Sequence, residues 1–348
     1  MTPIKALLIA KPWVGGLYYY LSNALKGKSN IQLEIIYTYP NSKFSKLNYL
    51  KNKKKWKKDI VNKINSSSYD IGIFINYIPE FEELKNVNKN ILWLTDDCNI
   101  NLSVLNSFTN VYLSDVGYLN NLPNKNNFVS ELPFAMDPII HQPFKSGKNK
   151  NTLCSIMNRD PKRNRWLKKL ELENILPDIY GNYFFKSIYF LKNPHKVFPS
   201  RSFMSLGEIY AKYDVTLNIH SEIVRNGTNM STFERAGYGV SQIVEYRPGI
   251  ENYFEPDNEI LFFSTIDEFK EKLQKIENDK KLRDKLVANS RKKALKEHTY
   301  LKRIKKNIAK FLRKLDTYFF HIPDFPPVFF IREIFLISIT LSIPLHMS

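Results

Sequence analysis

Short apolar runs alternate with helix-like stretches along the first part of the chain. The run IKALLIA at 4–10 is continuously apolar, which is typical of a strand buried on both faces of a parallel sheet. It leads into a helical pattern at 17–25. Further strand-like runs lie at 31–37, 70–75, 90–94, 110–113 and 128–131. This alternation predicts a doubly wound parallel sheet, with ligands bound beyond the carboxyl ends of its strands.

The alternation stops at 132–144, LPFAMDPIIHQPF, where three prolines and the lack of any period indicate an ordered connection between domains. It restarts after a polar gap at 149–151. Strands are predicted at 153–157, 178–180, 214–219, 241–245 and 260–263, and helices at 163–172, 206–212, 228–236, 265–276 and 280–314, the last broken at His298 and Thr299. We therefore predict an α/β protein with two Rossmann-like, doubly wound domains facing across a cleft. The predicted domains are 1–148, with the connection, and 149–316.

The remaining residues, 317–348, form an apolar tail that prolines interrupt. Its longest uncharged apolar run, at 334–345, is about 12 residues, short of the roughly 20 that a membrane-spanning helix needs. Contact with a membrane surface and docking on the protein itself are both open. The apolar run at 6–10 is too short for a signal peptide, which predicts a cytoplasmic protein, with peripheral attachment to the inner face of the membrane as an option.

The net charge of +18 fits an anionic partner, but it also fits a general use of Lys at solvated positions. The densest basic run, at 51–58, contains no basic-aromatic RNA motif, and this does not favour nucleic acid as a partner. Two cysteines exclude both a disulfide framework and a cysteine zinc cluster. The histidines lack metal-binding spacing, so no metal site is predicted.

The segment LNIHSEIVRNGTNMSTFERAGYG at 217–239 is the clearest candidate site. It predicts a strand, a tight turn at Gly227 and a helix whose free N–H groups and dipole can hold a phosphate. Thr228 and Asn229 add donors. Glu234 lies about 7–9 Å along the helix axis from Asn229, close to the distance from a pyrophosphate to its ribose. An N-capped helix with a surface glutamate explains the same spacing equally well.

The sequence from Asn226 to Phe269, with KLRDKL and EHTYLKRI further along, resembles the C-terminal domain of the CgeB-type, spore-maturation glycosyltransferase-like family. SLGEIYAKYDVTLNIH and IYGN are similar to the family's preceding elements, and LWLTDD and the proline-rich connection match more weakly. The resemblance implies the GT-B fold and a hexosyltransferase-like activity with a nucleotide-sugar donor. It implies neither a bound metal nor a cofactor.

GT-B glycosyltransferases with two glutamates eight positions apart use the second to bind the donor ribose, and Glu234 matches it. The first falls at Asn226, which is polar but uncharged. The resemblance therefore leaves a catalytically inactive nucleotide-sugar-binding protein as an alternative. Glu222 replaces the missing carboxylate only if the loop bends differently.

The resemblance also implies cationic side chains beside the donor pyrophosphate, after the first strand of the second domain. The candidates are Arg159, Lys162 and Arg163, with Arg225 as a further one. Helix-surface positions are the ordinary explanation for at least two of them. Positive charge is needed because the leaving nucleotide gains negative charge as the glycosidic bond breaks.

On the N-terminal side, Gly15 and Gly16 follow the first strand, where GT-B folds approach the donor phosphates, although they also simply permit a turn. Asp96 and Asp97 end an apolar strand, where a carboxylate can deprotonate an acceptor hydroxyl or cap a turn. His220 ends the strand before the candidate loop and is the third catalytic candidate, with a packed histidine as the alternative.

The sequence thus predicts a glycosyltransferase that moves a sugar to an acceptor in cell-surface glycan or glycoconjugate synthesis. The acceptor is a glycan, a lipid-linked glycan or a protein, and an anionic membrane surface is a further candidate partner. A nucleotide-sugar epimerase on the same fold and a nucleic-acid-binding protein are the remaining alternatives.

Overall fold

Buried aliphatic runs form the strands of two separate parallel sheets in the computed structural model of the protein. The structure describes residues 3–12, 16–26, 30–40, 49–79, 84–96, 105–121, 129–144 and 151–308. Both sheets lie in one compact unit, Met1–Asn307. The predicted tail at 317–348 lies outside the described residues, as do Gly15 and Asp97. Within the described part of the chain, no helix is long and apolar enough to cross a membrane.

The first sheet has the strand order β2-β1-β3-β4-β5-β6, and every neighbouring pair is parallel. Its strands are β1 (Ile4–Ala10), β2 (Ile31–Tyr37), β3 (Ile71–Ile75), β4 (Asn90–Leu94), β5 (Asn110–Leu113) and β6 (Val129–Glu131). β3 and β5 are buried at every position, which explains their continuous apolar sequence. Helices α1 (Leu17–Lys26) and α2 (Lys53–Asn65) accompany this sheet.

The second sheet has the order β12-β11-β10-β7-β8-β9, again parallel throughout. Its strands are β7 (Asn151–Ile156), β8 (Asp178–Tyr180), β9 (Val197–Phe198), β10 (Tyr213–Asn218), β11 (Ser241–Glu245) and β12 (Leu261–Phe263). From β7 the chain adds β8 and β9 on one side of the sheet, and it then adds β10, β11 and β12 on the other side. The adjacent pair β7 and β10 is therefore the switch point of a Rossmann-like sheet, where ligands bind.

Seven α-helices of the described chain follow the first strand of the second sheet. They are α3 (Pro161–Leu172), α4 (Ile188–Lys192), α5 (Leu206–Tyr210), α6 (Met230–Tyr238), α7 (Ile266–Asn278), α8 (Lys280–Glu297) and α9 (Tyr300–Arg303). Side chains cap several of them: Asp160 accepts from the backbone of α3, and Asn229 accepts from Thr232 N at the start of α6. Gly239 ends α6 in the left-handed conformation, with φ +67°.

The connection at 132–144 joins the two halves and also contacts the end of the described chain. Met136 N donates to His298 O at 2.8 Å, and Tyr300 N donates to Met136 O at 3.2 Å. The predicted break at His298 and Thr299 is present, because α8 ends at Glu297 and the Thr299 side chain caps α9.

The predicted α/β class with two doubly wound, Rossmann-like parts is confirmed. Three elements were not predicted. The strand β9 has only two residues, and α4 has five, too few for a period to register. The basic run at 51–58 was treated as charge alone, yet it opens α2, which buries Ile60, Val61 and Ile64.

Candidate functional site

Two loops meet at the switch point of the second sheet, one after β7 and one after β10. Asp160 joins them: its Oδ1 accepts from Lys162 N at 3.0 Å, and its Oδ2 accepts from Glu222 N at 3.3 Å. Arg163 makes a second connection, donating from Nε to Ile219 O at 2.9 Å and from Nη1 to Asn158 O at 3.0 Å. The two loops are therefore held as one surface at the carboxyl ends of the strands.

The three predicted cations occupy different environments. Arg163 is partly buried, and desolvation lowers its pKa from the ordinary value. Lys162 lies 2.7 Å from Glu245 Oε2 in an ion pair that is mostly shielded from solvent. Arg159 is exposed, and its guanidinium makes no hydrogen bond to any residue that the structure describes. Of the three, Arg159 is the one whose charge is directly accessible to a ligand.

A buried arginine that the sequence analysis did not select lies beneath the same loops. Arg235, on α6, is fully buried, and its Nε donates to Tyr210 Oη at 3.2 Å. Its two terminal nitrogens have no hydrogen-bond partner among the described residues. The charge of Arg235 contributes to the lowered pKa of Arg163, and after burial both arginines lower the pKa of His220. The switch point therefore carries concentrated positive charge.

Glu245, at the end of β11, is the carboxylate on which this cluster converges. Its Oε1 accepts from Trp166 Nε1 at 3.1 Å, and its Oε2 accepts from His220 N at 3.0 Å. Arg247 Nη2 lies 3.3 Å from Oε1, in addition to the Lys162 pair. Burial raises the pKa of Glu245 to about 7, although these hydrogen bonds oppose the rise. The one local signal for Glu245 in the sequence is its position as the acidic last residue of the buried strand SQIVE.

His220 is fully buried and belongs to a polar network inside the loop. Its Nε2 lies 2.9 Å from Thr228 Oγ1, and Thr228 in turn contacts Thr232 Oγ1 at 2.5 Å. Burial, reinforced by Arg163 and Arg235, lowers the pKa of His220 to about 3, so the ring is neutral at pH 7. Its Nδ1 has no hydrogen-bond partner among the described residues. In this arrangement the ring supports the loop from within.

Asn229 is also occupied by the fold. It caps α6 and exchanges two hydrogen bonds with Asn218, at 3.0 and 3.1 Å. Gly227 has φ +66°, and its N donates to Pro248 O at 2.7 Å. A Cβ at Gly227 would lie 3.0 Å from the Tyr253 ring, so the turn there requires glycine on two grounds.

The predicted ribose ligand, Glu234, lies on the buried side of α6, where the two halves of the protein touch. Tyr20 Oη, on α1, donates to Glu234 Oε1 at 3.1 Å. His141 Nε2 lies 3.6 Å from the same oxygen. Because His141 Nδ1 accepts from Asp137 N at 2.8 Å, the proton of a neutral His141 is on Nε2, facing the carboxylate. Glu234 is thus a buried carboxylate contacted from the first sheet and from the connection.

Two further contacts join the two halves. Gly16, at the start of α1, packs so closely on Phe203 that a Cβ there would lie 2.8 Å from the ring. On the other side of the candidate loop, Asp115 accepts from Arg225 N at 2.6 Å and from Asn226 N at 3.0 and 3.1 Å. The position that the resemblance assigns to a first glutamate therefore faces a carboxylate that follows β5.

Asp96 is exposed at the carboxyl end of β4, beside two polar neighbours. Asn76 Nδ2 donates to Asp96 Oδ2 at 3.0 Å and to Thr95 Oγ1 at 2.6 Å. Asn76 is in the left-handed region, with φ +49°, at the end of the adjacent strand β3. Desolvation by the surrounding protein raises the pKa of Asp96, and the positive charge of Lys11 opposes this rise. A carboxyl group with a raised pKa at a strand end is suited to accepting a proton.

The described residues contain no group of three or more His, Cys, Asp or Glu side chains placed to hold a metal ion. A cavity of about 220 Å³ lies at the amino ends of β10 and β11, lined by residues that include Tyr213, Ser241 and Arg283. It lies away from the loops at the switch point, so it is not part of the candidate site.

Comparison with solved structures identifies the fold. A glycosyltransferase from Rickettsia africae has a TM-score of 0.66 at 11% identity, over 91% of this chain and 100% of that one. Anabaena HepE in complex with UDP-glucose has a TM-score of 0.59 at 10% identity, over 90% and 100%. Sucrose-phosphate synthase from Thermosynechococcus elongatus has a TM-score of 0.66 at 11% identity, over 90% and 99%. Together with the two parallel sheets, these likenesses show that the chain has the GT-B fold, as predicted.

The sequence comparison locates the similarity more narrowly. Residues 162–309 match a family described as glycosyl transferase-like. This region contains α3, the loop after β10, Glu234 and Glu245. No curated protein sequence matches the chain.

Proposed function

We propose that the protein is a glycosyltransferase of the CgeB type, which binds a nucleotide-sugar on its second half and an acceptor on its first. The observation that carries the proposal is the glycosyl transferase-like match over 162–309, the region that supplies most of the candidate loops. HepE, which shares the fold, forms complexes with UDP and UDP-glucose, and this supports UDP-glucose as the first donor to test.

The charge at the switch point supports an anionic donor. Arg235 is buried beneath the loops, and its terminal nitrogens are unpaired within the described chain, while Arg163 is partly buried beside it. A diphosphate above them, contacted by the exposed Arg159, would offset this positive charge. As the bond from the anomeric carbon to the diphosphate breaks, the same charges stabilise the departing nucleotide. We propose that these side chains supply the counter-charge without a metal, so that activity persists in EDTA.

We further propose that Glu234 binds the donor ribose. Its Oε1 now accepts from Tyr20 and faces His141, so a ribose hydroxyl would replace or share the Tyr20 hydrogen bond. Thr228 and Asn229 would contribute through their backbone N–H groups, since their side chains hold the loop. Gly227 would contribute through the turn that it permits, because its own N–H donates to Pro248 O. Gly16 packs against Phe203 and against Tyr20, the residue that donates to Glu234.

On the acceptor side, Asp96 is the proposed general base, with Asp97 as the second candidate from the sequence. Asp96 would take the proton of an acceptor hydroxyl while that oxygen forms its bond to the anomeric carbon and the diphosphate leaves. The raised pKa of Asp96 supports this role. A cytoplasmic location, and an acceptor that is a glycan, a lipid-linked glycan or a protein, complete the proposal.

The test is binding and turnover with a panel of nucleotide-sugars. A donor that binds only the folded state raises the melting temperature, which identifies it before any acceptor is known. Glu234→Gln keeps the side-chain volume and removes the charge, and we expect it to weaken donor binding at least about tenfold, the effect of losing roughly 1.4 kcal/mol. Glu271→Gln makes the same change at an exposed position of α7 and should leave binding unchanged. Equal donor affinity of the two variants would reject the assignment of Glu234.

One observation favours an alternative, a GT-B protein that binds nucleotide-sugar without transferring it. Asn226 is neutral where the resemblance implies a carboxylate, and its backbone N–H is taken by Asp115. Such a protein would show the donor-induced thermal shift but neither transfer to an acceptor mixture nor hydrolysis of the donor above background. Either activity, abolished by Asp96→Asn, would exclude this alternative.

A further inference from the structure

Four large apolar side chains project into solvent on the outer flank of the second sheet. Leu172, Phe185, Ile188 and Leu191 are each 74–77% exposed, more than any other large hydrophobic residue described. Phe185, Ile188 and Leu191 are spaced three apart, along the turn that precedes α4 and along α4 itself. The ends of α3 and α4 are adjacent, because Asn193 Nδ2 donates to Glu171 Oε1 at 3.1 Å, and Leu172 and Leu191 lie within two residues of these partners in the chain.

The exposed side chains lie next to residues that pack into the core of the second sheet. Phe184 and Phe190 pack against the core of the second sheet, and Phe185 contacts them with ring centroids 4.2 and 4.8 Å away. Phe185 has φ +56°, a conformation that a bulky residue rarely adopts. The surrounding packing therefore holds Phe185 outward at a local cost, which is a pattern found at functional positions.

Charges of both signs lie around these side chains, with a small excess of lysine: Leu172 lies between Glu171 and Glu173, and Lys196 pairs with Asp178 at 3.1 Å. The sequence from Gly181 to Lys196 contains Lys186, Lys192 and Lys196 but no acidic residue. The nearest carboxylates are already paired: Glu171 lies 3.4 Å from Lys192 Nζ, and Glu173 lies 2.5 Å from Lys270 Nζ. We call the surface formed by Leu172, Phe185, Lys186, Ile188, Leu191 and Lys192 the apolar–basic face.

We propose that the apolar–basic face binds the surface of an anionic phospholipid membrane. Side chains that project by three-quarters of their area fit a deformable lipid layer, which needs no complementary shape, and they enter the boundary between headgroups and acyl chains. Lys186, which has no ion pair with another described residue, pairs with an anionic headgroup, and Lys192 exchanges its exposed pair with Glu171 for one. A second protein would instead require a matching set of pockets and acidic groups. The inference is independent of glycosyl transfer, since none of these residues belongs to the candidate site.

The test is flotation of the full chain with vesicles of phosphatidylcholine, alone or mixed with phosphatidylglycerol. We expect binding to the anionic vesicles and little binding to the neutral ones. The triple variant Phe185→Ser, Ile188→Ser, Leu191→Ser should reduce partitioning at least about tenfold. Lys186→Gln with Lys192→Gln should reduce it about twenty-five-fold, roughly fivefold for each charge.

The matched control is Ile139→Ser with Met204→Ser, which removes two exposed apolar side chains, 67% and 54% accessible, away from the face. Its partitioning should equal that of the wild type. Circular dichroism and the melting temperature establish that each variant is folded. Absence of wild-type binding to anionic vesicles, or equal binding of the triple variant, would overturn the proposal, the second result assigning the membrane contact to another part of the chain.

A labelled variant reports on the face directly. Ile188→Cys, in a Cys98→Ser background, can be labelled with an environment-sensitive fluorophore, because Cys154 is fully buried. Addition of anionic vesicles should shift its emission to the blue, whereas a label at Ile139→Cys should not respond. A label that is already blue-shifted without vesicles and unchanged by them would overturn the proposal, because the face would then be covered by this chain or a second copy.

Discussion

Asp115 holds the candidate loop against the first sheet, and its removal gives a sharp prediction. The carboxylate is 5% exposed and accepts hydrogen bonds from three backbone N–H groups, those of Gly117, Arg225 and Asn226, at 2.6–3.1 Å. The approach is close: a Cβ on Gly117 would lie 2.6 Å from Arg225 Cβ. Asp115→Ala leaves the two N–H groups of the loop without their acceptor.

The magnitude follows from those two donors. A buried donor that loses its partner costs about 1–3 kcal/mol, so the two together cost about 2–6 kcal/mol. A water molecule that enters the site and accepts from these N–H groups would reduce this cost. This is a large share of the 5–15 kcal/mol that is typical of a folded domain. Asp115→Asn keeps one acceptor oxygen and should lose about half as much. The same change should weaken donor binding if the loop binds nucleotide-sugar, because the backbone at 225 and 226 is no longer fixed.

Urea unfolding at neutral pH, followed by tryptophan fluorescence, measures the free energy of unfolding for each variant. The control is Asp284→Ala, which removes an exposed carboxylate paired with Lys280 at 3.3 Å and should cost less than about 0.5 kcal/mol. If Asp115→Ala is no less stable than this control, the carboxylate does not bridge the two halves and the reasoning fails. A separate early unfolding transition in Asp115→Ala alone would agree with a loosened contact between them.

Three further predictions concern the second half. Burial raises the folded-state pKa of Glu245 from 4.5 to about 7, so the protonated carboxyl contributes fully to stability below pH 4.5, and this contribution is lost as pH rises through 7. Between these pH values, the free energy of unfolding of Glu245→Gln should therefore rise relative to that of the wild type by up to about 1.4 kcal/mol per pH unit. A constant difference from pH 5 to 8 by chemical denaturation would contradict the burial of an ionisable group there. Gly227→Ala should cost about 1–3 kcal/mol, because φ is +66° and the new Cβ meets Tyr253, and an unchanged melting temperature would disprove it. Arg159→Ala should leave stability within about 0.5 kcal/mol yet weaken nucleotide binding measured by calorimetry, unlike Arg165→Ala, and equal affinities would remove Arg159 from the site.

The strands were predictable because burial on both faces of a sheet requires a continuous apolar run in the sequence. Runs such as the one at 4–10 must be apolar at nearly every position when helices cover both sides of a parallel sheet. The apolar pattern of helix α2 is weaker, since only Ile60, Val61 and Ile64 are buried among its lysines. The strand β9 and helix α4 are too short to show any period. Local pattern therefore identified the sheets and missed the elements that cover their edges.

The candidate site was predictable only in part, because its partners are distant in sequence. The turn at Gly227 and the cap at Asn229 are local and were expected. Glu245, by contrast, acquires its role from Lys162, 83 residues away, and Asp115 meets Asn226 across 111 residues. Neither pairing follows from spacing or composition, since each depends on how two separately built elements pack.

The hydrogen bonds within the loop change how its side chains are understood. His220 and Thr228 bond to each other, and Asn229 bonds to Asn218 and to the start of α6, so these polar groups are already used. A loop fixed in this way presents its backbone N–H groups and nearby cations in a set geometry, and little conformational entropy is lost when an anion binds. Phosphate recognition would then come from the backbone and from Arg159, whereas the conspicuous side chains of the motif keep that backbone in place.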